Sequence, residues 1–392
     1  MSETTVSNSK IRIGMIGAGG RLRGVLRRLL QSDPTGRLEL VAAFDPDAGA
    51  LDSADEVFGK KLRRAASDEA LINDPEVDWV FIGSWNCEHA RQSVAALEAG
   101  KNVFCEKPLA TEFEGCLAIR DAVARTGKTF AFGLVLRYSP HYARLKQVLE
   151  SGVIGKIVSF EFNETLSFNH GGYIFGNWRR KRANAGTHLL EKCCHDIDLA
   201  NWMIGSLPVR VASFGGRDFF TPEHAGEVER IGPDAAGKAA FSAWPDPHAK
   251  NPFDGEADIF DNQVAIIEYA NGVRGSFHTN ANAALQERRF YICGTRGSVR
   301  ADLISGTIEV RENGWTARSE VYNTNAGDGH GGGDHVMAES LLKTLTQGEA
   351  PAAGVLEGLH SALAAFALDE AADTGRIVDV RDLWCRAGVE VF

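Results

Sequence analysis

Glu191, His195, Asp198 and Trp202 recur at about 100° per residue on one face of a predicted helix over residues 189–204. Leu190, Cys193, Ile197, Ala200 and Ile204 make its apolar back. A histidine one turn from a carboxylate is the pattern of a general base, because imidazole exchanges its proton near neutral pH and the carboxylate orients the ring. The competing reading is an exposed polar helix surface. Cys193 points away from His195 and no cysteine pair has ligand spacing, so the pattern does not call for a metal. Lys107, in the turn Glu106-Lys107-Pro108 just past a predicted strand, is a cation that can bond an oxygen as charge develops on it, or else a solvated turn lysine. Asn177-Trp178 precede the run Arg179-Arg180-Lys181-Arg182, which is either a solvated loop or a clamp for a carboxylate, sulfonate or phosphate.

The elements that must hold these groups begin with Ile11-Arg12-Ile13-Gly14-Met15-Ile16, a strand that stops in Gly17-Ala18-Gly19-Gly20. An amphipathic helix follows at once, with Leu22, Val25, Leu26, Leu29 and Leu30 on one face and Arg21, Arg23, Arg27 and Arg28 on the other. Strand, glycine turn and helix form a dinucleotide-binding opening: the glycines let the backbone approach a pyrophosphate, and the helix N-terminus holds its charge. Leu22 replaces the third glycine of G-x-G-x-x-G, which bears on helix-to-strand packing more than on the phosphate-facing Gly17 and Gly19. The second strand, 38–44, ends in Asp45, placed to bond both ribose hydroxyls and repel a 2′-phosphate, which selects NAD. An ordinary glycine turn with Asp45 as a helix cap is the plainer alternative.

Further strands at 79–82, 102–105 and 129–133 alternate with helices, which predicts a parallel sheet with ligand at its carboxyl ends, where Ser84, Trp85, Asn86 and Glu106 lie. Thr111 and Glu114 have capping-box spacing for a helix to Arg125. Beyond a helix capped by Ser139-Pro140 the texture changes to alternating strands at 156–162, 262–269 and 273–278, the last two joined by Asn271-Gly272. The expected fold class is α/β: an N-terminal Rossmann doubly wound parallel sheet plus a C-terminal α+β domain with a large, mostly antiparallel, open-faced sheet. The expected division is a flexible tail at 1–10, a nucleotide-binding domain at 11–135 and a substrate-binding and oligomerisation domain at 136–392. Residues 219–255, rich in Pro, Gly, Asp and His, read as an insertion without a legible role; 327–335 reads as a flap near substrate or a plain loop.

The 392 residues are 44% hydrophobic and 24% charged with a net charge of -10, which fits a soluble globular protein and argues against a nucleic-acid partner. No apolar run has membrane-spanning length, and the polar first ten residues lack a signal-peptide segment. Seven scattered cysteines fit a reducing compartment, so a cytoplasmic location is expected.

These residues together resemble the glucose-fructose oxidoreductase/inositol dehydrogenase (Gfo/Idh/MocA) family over nearly the whole chain. Glu106-Lys107-Pro108 matches its E-K-P motif, 84–89 its cofactor-edge loop, and Arg137-Tyr138-Ser139-Pro140 its domain junction. Glu191, His195 and Asp198 match its D-x-x-x-H-x-x-D helix, with Glu in place of the first Asp. The resemblance implies NAD held by Gly17, Ala18, Gly19, Gly20, Arg21, Asp45, Ser84, Trp85, Asn86, His89, Glu106 and Lys107. It implies catalysis by Lys107 and His195 supported by Glu191, a substrate bordered by Arg137, Tyr138, Trp178, Arg179, Arg180 and Asp198, and a homo-oligomer, dimer or tetramer, built through the C-terminal sheet. The expected reaction is hydride transfer between a sugar or cyclic polyol and nicotinamide. The alternatives are a glycosidase that recycles NAD within each turnover and a silent NAD-binding regulator. The place of 179–182 before the His195 helix predicts an anionic group, carboxylate or sulfonate, on the sugar.

Overall fold

The computed structural model describes residues 10–324 and 330–391, so residues 1–9 of the expected tail and 327–329 of the expected flap lie outside the described residues. The chain forms two compact units. The first comprises residues up to Ser139 together with Gly332–Leu359. Its six strands are Ile11–Ile16, Leu38–Phe44, Arg63–Arg64, Trp79–Ile82, Asn102–Cys105 and Phe130–Phe132, all parallel, in the spatial order third, second, first, fourth, fifth, sixth. Winding reverses between the first and fourth strands, so their carboxyl ends, Gly17 and Gly83, sit side by side where such sheets take ligands. Covered on both faces, the central strands are nearly continuous apolar runs: Ile13, Met15 and Ile16 beside Val80, Phe81 and Ile82, all buried.

Two local expectations change. Thr111 does not cap the fifth-strand helix, which begins at Phe113 with Glu112 in the cap position and no side-chain cap bond. The unit also does not end near residue 135. The helix Gly333–Gln347 rejoins it, and Gly333 lies so close to the Val135 carbonyl that a Cβ would sit 2.6 Å from its oxygen. A linear division at 135/136 cannot contain a segment that returns two hundred residues later.

The second unit, Pro140–Gly331 with His360–Phe392, holds a nine-stranded sheet. From one edge to the other the strands are Glu320–Asn323, Thr307–Glu312, Gly297–Asp302, Arg289–Gly294, Ile157–Ser167, Arg274–Ala283, Asn262–Tyr269, Pro208–Gly216 and Val378–Asp379. Every neighbouring pair is antiparallel except Ile157–Ser167 with Arg274–Ala283, which run parallel. One face buries Phe160, Phe162, Phe277 and Phe290, with the Phe162 and Phe277 rings 4.6 Å apart. The opposite face leaves Phe214, Val264 and Ile266 in solvent.

The insertion is a folded lobe. Phe220, Phe241 and Phe253 pack with Leu166, Ile174 and Phe175 into a local core, Phe220 stacking on Phe175 at 4.3 Å. The Asp261 carboxylate accepts hydrogen bonds from the backbone N–H groups of Asp218, Phe219 and Phe220 and ties the lobe's two ends together.

Candidate active site

In the first unit, Gly17 adopts φ 83°, and a Cβ there would overlap Gly83 and Ser84, so only glycine fits. A Cβ at Gly19 would meet nothing within 4 Å; the turn is open there, and Gly19 is the N-cap of the helix Gly20–Gln31 without a side-chain cap bond. Open space before the free N–H groups of a helix start is a cradle that fits a pyrophosphate. The missing third glycine has a physical substitute. Leu22 is buried, and a Cβ at Gly83 would lie 2.8 Å from that of Leu22, so the strand end supplies the clearance that the helix does not.

Asp45 is not a helix cap: Asp47 caps the helix Ala48–Phe58 by accepting from the Gly49 N–H. The Asp45 carboxylate accepts from the N–H of Ala18 at 2.7 Å and of Asp47 at 2.8 Å, which fixes it at the glycine turn. Arg21 donates through Nε to Glu106 at 2.8 Å and through Nη1 to Asp334 at 2.5 Å. Burial works against its charge, and the two carboxylates outweigh burial and keep it ionised. Arg21 therefore ties the glycine helix to the turn that bears Lys107. A Cβ at Gly133 would fall 2.8 Å from a Glu106 oxygen, so that glycine makes the room. His89 staples the same region: Nδ1 lies 2.8 Å from the Pro108 carbonyl and Nε2 3.2 Å from that of Ser84, and burial pushes the ring below the usual histidine range. Ser84 and Lys107 are half-buried, Trp85 is exposed and Asn86 is buried. Tyr138 is buried inside this unit, and burial raises its hydroxyl above the usual range against hydrogen bonds to Ala353 and Ser340 that work to lower it. Its junction neighbour Arg137 is half-buried.

In the second unit, the helix His188–Ile204 starts at Thr187, whose hydroxyl accepts from the Leu190 N–H and donates to the buried Asp369 carboxylate at 2.5 Å. Burial pushes Asp369 up to about 7. Glu191, His195 and Asp198 are all buried, which removes the reading as an exposed surface. Glu191 accepts from Arg179 Nε at 3.1 Å; Arg179 also donates to the Tyr173 hydroxyl at 3.2 Å and lies 4.4 Å over the Trp178 ring. The Glu191 carboxylate is thus held in place, one turn from His195. The His330 ring, within the Gly-rich segment, is 6.4 Å from the His195 ring.

The helix also carries charged groups at Lys192 and Asp196, between the His195 face and the apolar back. Arg288 grips Asp196 through two bonds of 2.8 and 2.7 Å and Glu164 at 3.2 Å, and Lys192 pairs with Glu164 at 3.1 Å. Burial works to raise the Glu164 carboxyl, but Arg288 and Lys192 outweigh it and hold it low. Glu164, Cys193 and Asp196 converge closely enough for a cation, yet the two basic side chains already bind both carboxylates and burial holds the Cys193 thiol protonated. Nothing in the sequence marked this network, because Arg288 is 92 residues from Asp196.

The basic run is neither a solvated loop nor an open anion clamp. Arg179 pairs with Glu191, Arg180 with Asp254 at 2.6 Å, Lys181 with Glu256 at 3.5 Å, and Arg182 with Asp373 at 2.7 Å. Four cations met by four carboxylates leave the anionic-sugar expectation without its motive. Asp254 belongs to the inserted lobe and Glu256 follows it directly, so the run is in large part the seam that holds it.

Residues 11–134 match the model of an oxidoreductase family, NAD-binding Rossmann fold, and residues 146–380 match its C-terminal alpha/beta domain. Levoglucosan dehydrogenase of Pseudarthrobacter phenanthrenivorans is 27% identical over 87% of this chain and 89% of that protein. Inositol 2-dehydrogenase 3 of Saccharopolyspora erythraea is 40% identical over 37% of this chain and 42% of that protein, and 2,7-anhydro-N-acetylneuraminate hydratase of Escherichia coli is 23% identical over 81% and 74%. A solved levoglucosan dehydrogenase in complex with NADH and levoglucosan superposes with a TM-score of 0.77 at 23% identity, covering 95% of this chain and all of that one.

Proposed function

The chain belongs to the Gfo/Idh/MocA oxidoreductase family, with a nucleotide-binding Rossmann unit, and from that premise we propose that it moves hydride between NAD and a hydroxyl-bearing carbon of a sugar or cyclic polyol. The observation that carries this reading is His195, buried on its helix one turn from a carboxylate that Arg179 holds in place. NAD, bound along Gly17–Gly20 and Asp45, supplies the acceptor for the hydride. His195 takes the proton of the substrate hydroxyl as the carbon gives up its C–H electron pair, and returns it in the reverse direction. Lys107 stabilises the negative charge that grows on the substrate oxygen. Glu191 and Arg179 orient the base, and the Arg21 bonds to Glu106 and Asp334 keep the Lys107 turn in place. The names of the levoglucosan and inositol dehydrogenases support a sugar or cyclitol substrate. Incubation with NAD and a panel of aldoses, cyclitols and glycosides tests the reading by NADH absorbance; sustained NADH formation from at least one is expected.

The hydratase relative favours one second reading, a glycosidase in which NAD is reduced and reoxidised within each turnover. Net NADH separates the two.

Asp45 makes the proposed choice of NAD testable. Asp45→Ser removes the carboxylate that would repel a 2′-phosphate, so the preference for NAD over NADP is expected to fall by about tenfold or more in a binding titration. Tighter binding of NADP by the unaltered protein would contradict the assignment.

We also propose that the open sheet face pairs with a second copy. Phe214 is 68% and Ile266 67% exposed on adjacent strands, beside Val264, around a shallow hollow of about 450 Å³. Ile266→Glu is expected to shift the mass measured by light scattering from an oligomer to a monomer; an unaltered protein that is monomeric would refute it. No helix among the described residues is long and apolar enough to cross a membrane. All seven cysteines are free thiols, which supports a reducing, cytoplasmic setting.

A further inference from the structure

The lobe spanning 217–261 is held in place at a conformational cost. Phe241 has φ 61°, the left-handed region that a bulky residue rarely occupies. Its carbonyl and Cβ lie where a Cβ on Gly172 would be, so the helix Phe168–Phe175 meets the lobe only because residue 172 is glycine. Gly171 is equally constrained by the Ala281 carbonyl. The Ser242 N–H then donates to the Asn169 side chain at 3.2 Å, and Lys238 donates to the Ala243 carbonyl at 2.7 Å. The next residue is Trp244.

Trp244 is 52% exposed, although two aromatic rings touch it. Its ring stands nearly perpendicular to His170 at 4.9 Å and to Tyr173 at 5.0 Å, contacts that leave much of the indole open. Burial, aided by Lys192, pushes His170 down to about 3, so this neighbour is a neutral imidazole at working pH. Tyr173 in turn packs under the Arg179 guanidinium at 5.5 Å and accepts its hydrogen bond, and Arg179 bonds Glu191. An unbroken ladder therefore runs from the open indole to the carboxylate that orients His195. The salt bridges Arg180–Asp254 and Lys181–Glu256 clamp the lobe at the same end.

We propose that Trp244, with Tyr173, forms an outer subsite that stacks a second ring of the substrate, so that the protein acts on a glycoside in preference to the free monosaccharide. This rests on the reading of His195 as the base. The chemistry fits the ligand: one face of a pyranose is a patch of C–H groups and one face of an aryl aglycone is a π surface, and both stack on indole. Trp244 reaches the His195 helix through two intervening side chains, Tyr173 and Arg179, so a ring on the indole is not the ring that gives up hydride.

The test compares D-glucose and D-galactose with cellobiose, lactose and the phenyl β-glycosides of both, by calorimetric binding to the NADH-loaded protein and by NADH formation. The unaltered protein is expected to bind at least one glycoside about tenfold or more tightly than its parent sugar. Trp244→Ala is expected to collapse that ratio by about tenfold, and Trp244→Phe to retain most of it. Cellobiose and lactose responding without the phenyl glycosides identifies a pyranose as the second ring; the reverse identifies an aryl group. Equal ratios in the unaltered protein and Trp244→Ala, or no glycoside preferred to its parent, overturn the subsite. A binding ratio that collapses while no sugar yields NADH in either protein keeps the subsite and refutes the dehydrogenase reading instead.

Discussion

His195→Ala is expected to lower kcat about a thousandfold, within the range that a positioned general base contributes. The proton of the substrate hydroxyl must leave as the C–H electron pair does, and no solvent water replaces a base held on a buried helix face. The nucleotide cradle belongs to the other unit, so NADH binding, followed by nicotinamide fluorescence, is expected to stay within about threefold. Turnover within tenfold of the unaltered protein on a confirmed substrate would remove His195 from the chemistry. Arg179 holds Glu191 one turn from the imidazole, and the substitution leaves that pair in place.

Lys107→Ala carries the second large effect, a fall in kcat of about a hundred- to a thousandfold, the scale for losing one donor aimed at a developing oxyanion. The backbone at this position is set by other groups: Arg21 holds Glu106, and His89 holds the Pro108 carbonyl. Removing the ammonium therefore leaves the turn in place, and thermal stability is expected to change little. KM is expected to change less than kcat if the lysine meets the oxygen mainly as charge develops. A change confined to KM would assign Lys107 to ground-state binding.

Much of the fold was legible because it is written in periodicity. Ile11 to Gly19 showed a strand, a turn and a helix start, and the alternation in 262–278 showed the hairpin of the second sheet. The place of Asp45 at the glycine turn was legible because it follows a strand. What escaped depends on contacts between residues far apart in the chain. Gly83 does for Leu22 what a third glycine would do, 61 positions away; Asp334 returns to Arg21; and Arg288 reaches Asp196 across 92 residues. No local pattern announces such pairings. The basic run shows the reverse failure: four cations in a row looked uncompensated only because their acidic partners, Glu191, Asp254, Glu256 and Asp373, are scattered along the sequence. The inserted lobe was opaque for the same reason, since its aromatic core forms only when Phe220, Phe241 and Phe253 meet Phe175.

The most direct test of the central claim is the stoichiometry of one reaction: the unaltered protein with NAD and a chromogenic aryl glycoside or a free sugar, with NADH, oxidised sugar and aglycone all quantified. The account predicts one NADH accumulated for each sugar oxidised and no aglycone beyond the uncatalysed rate. Aglycone released over many turnovers with no net NADH would contradict it and assign the site to hydrolysis with an internally recycled cofactor.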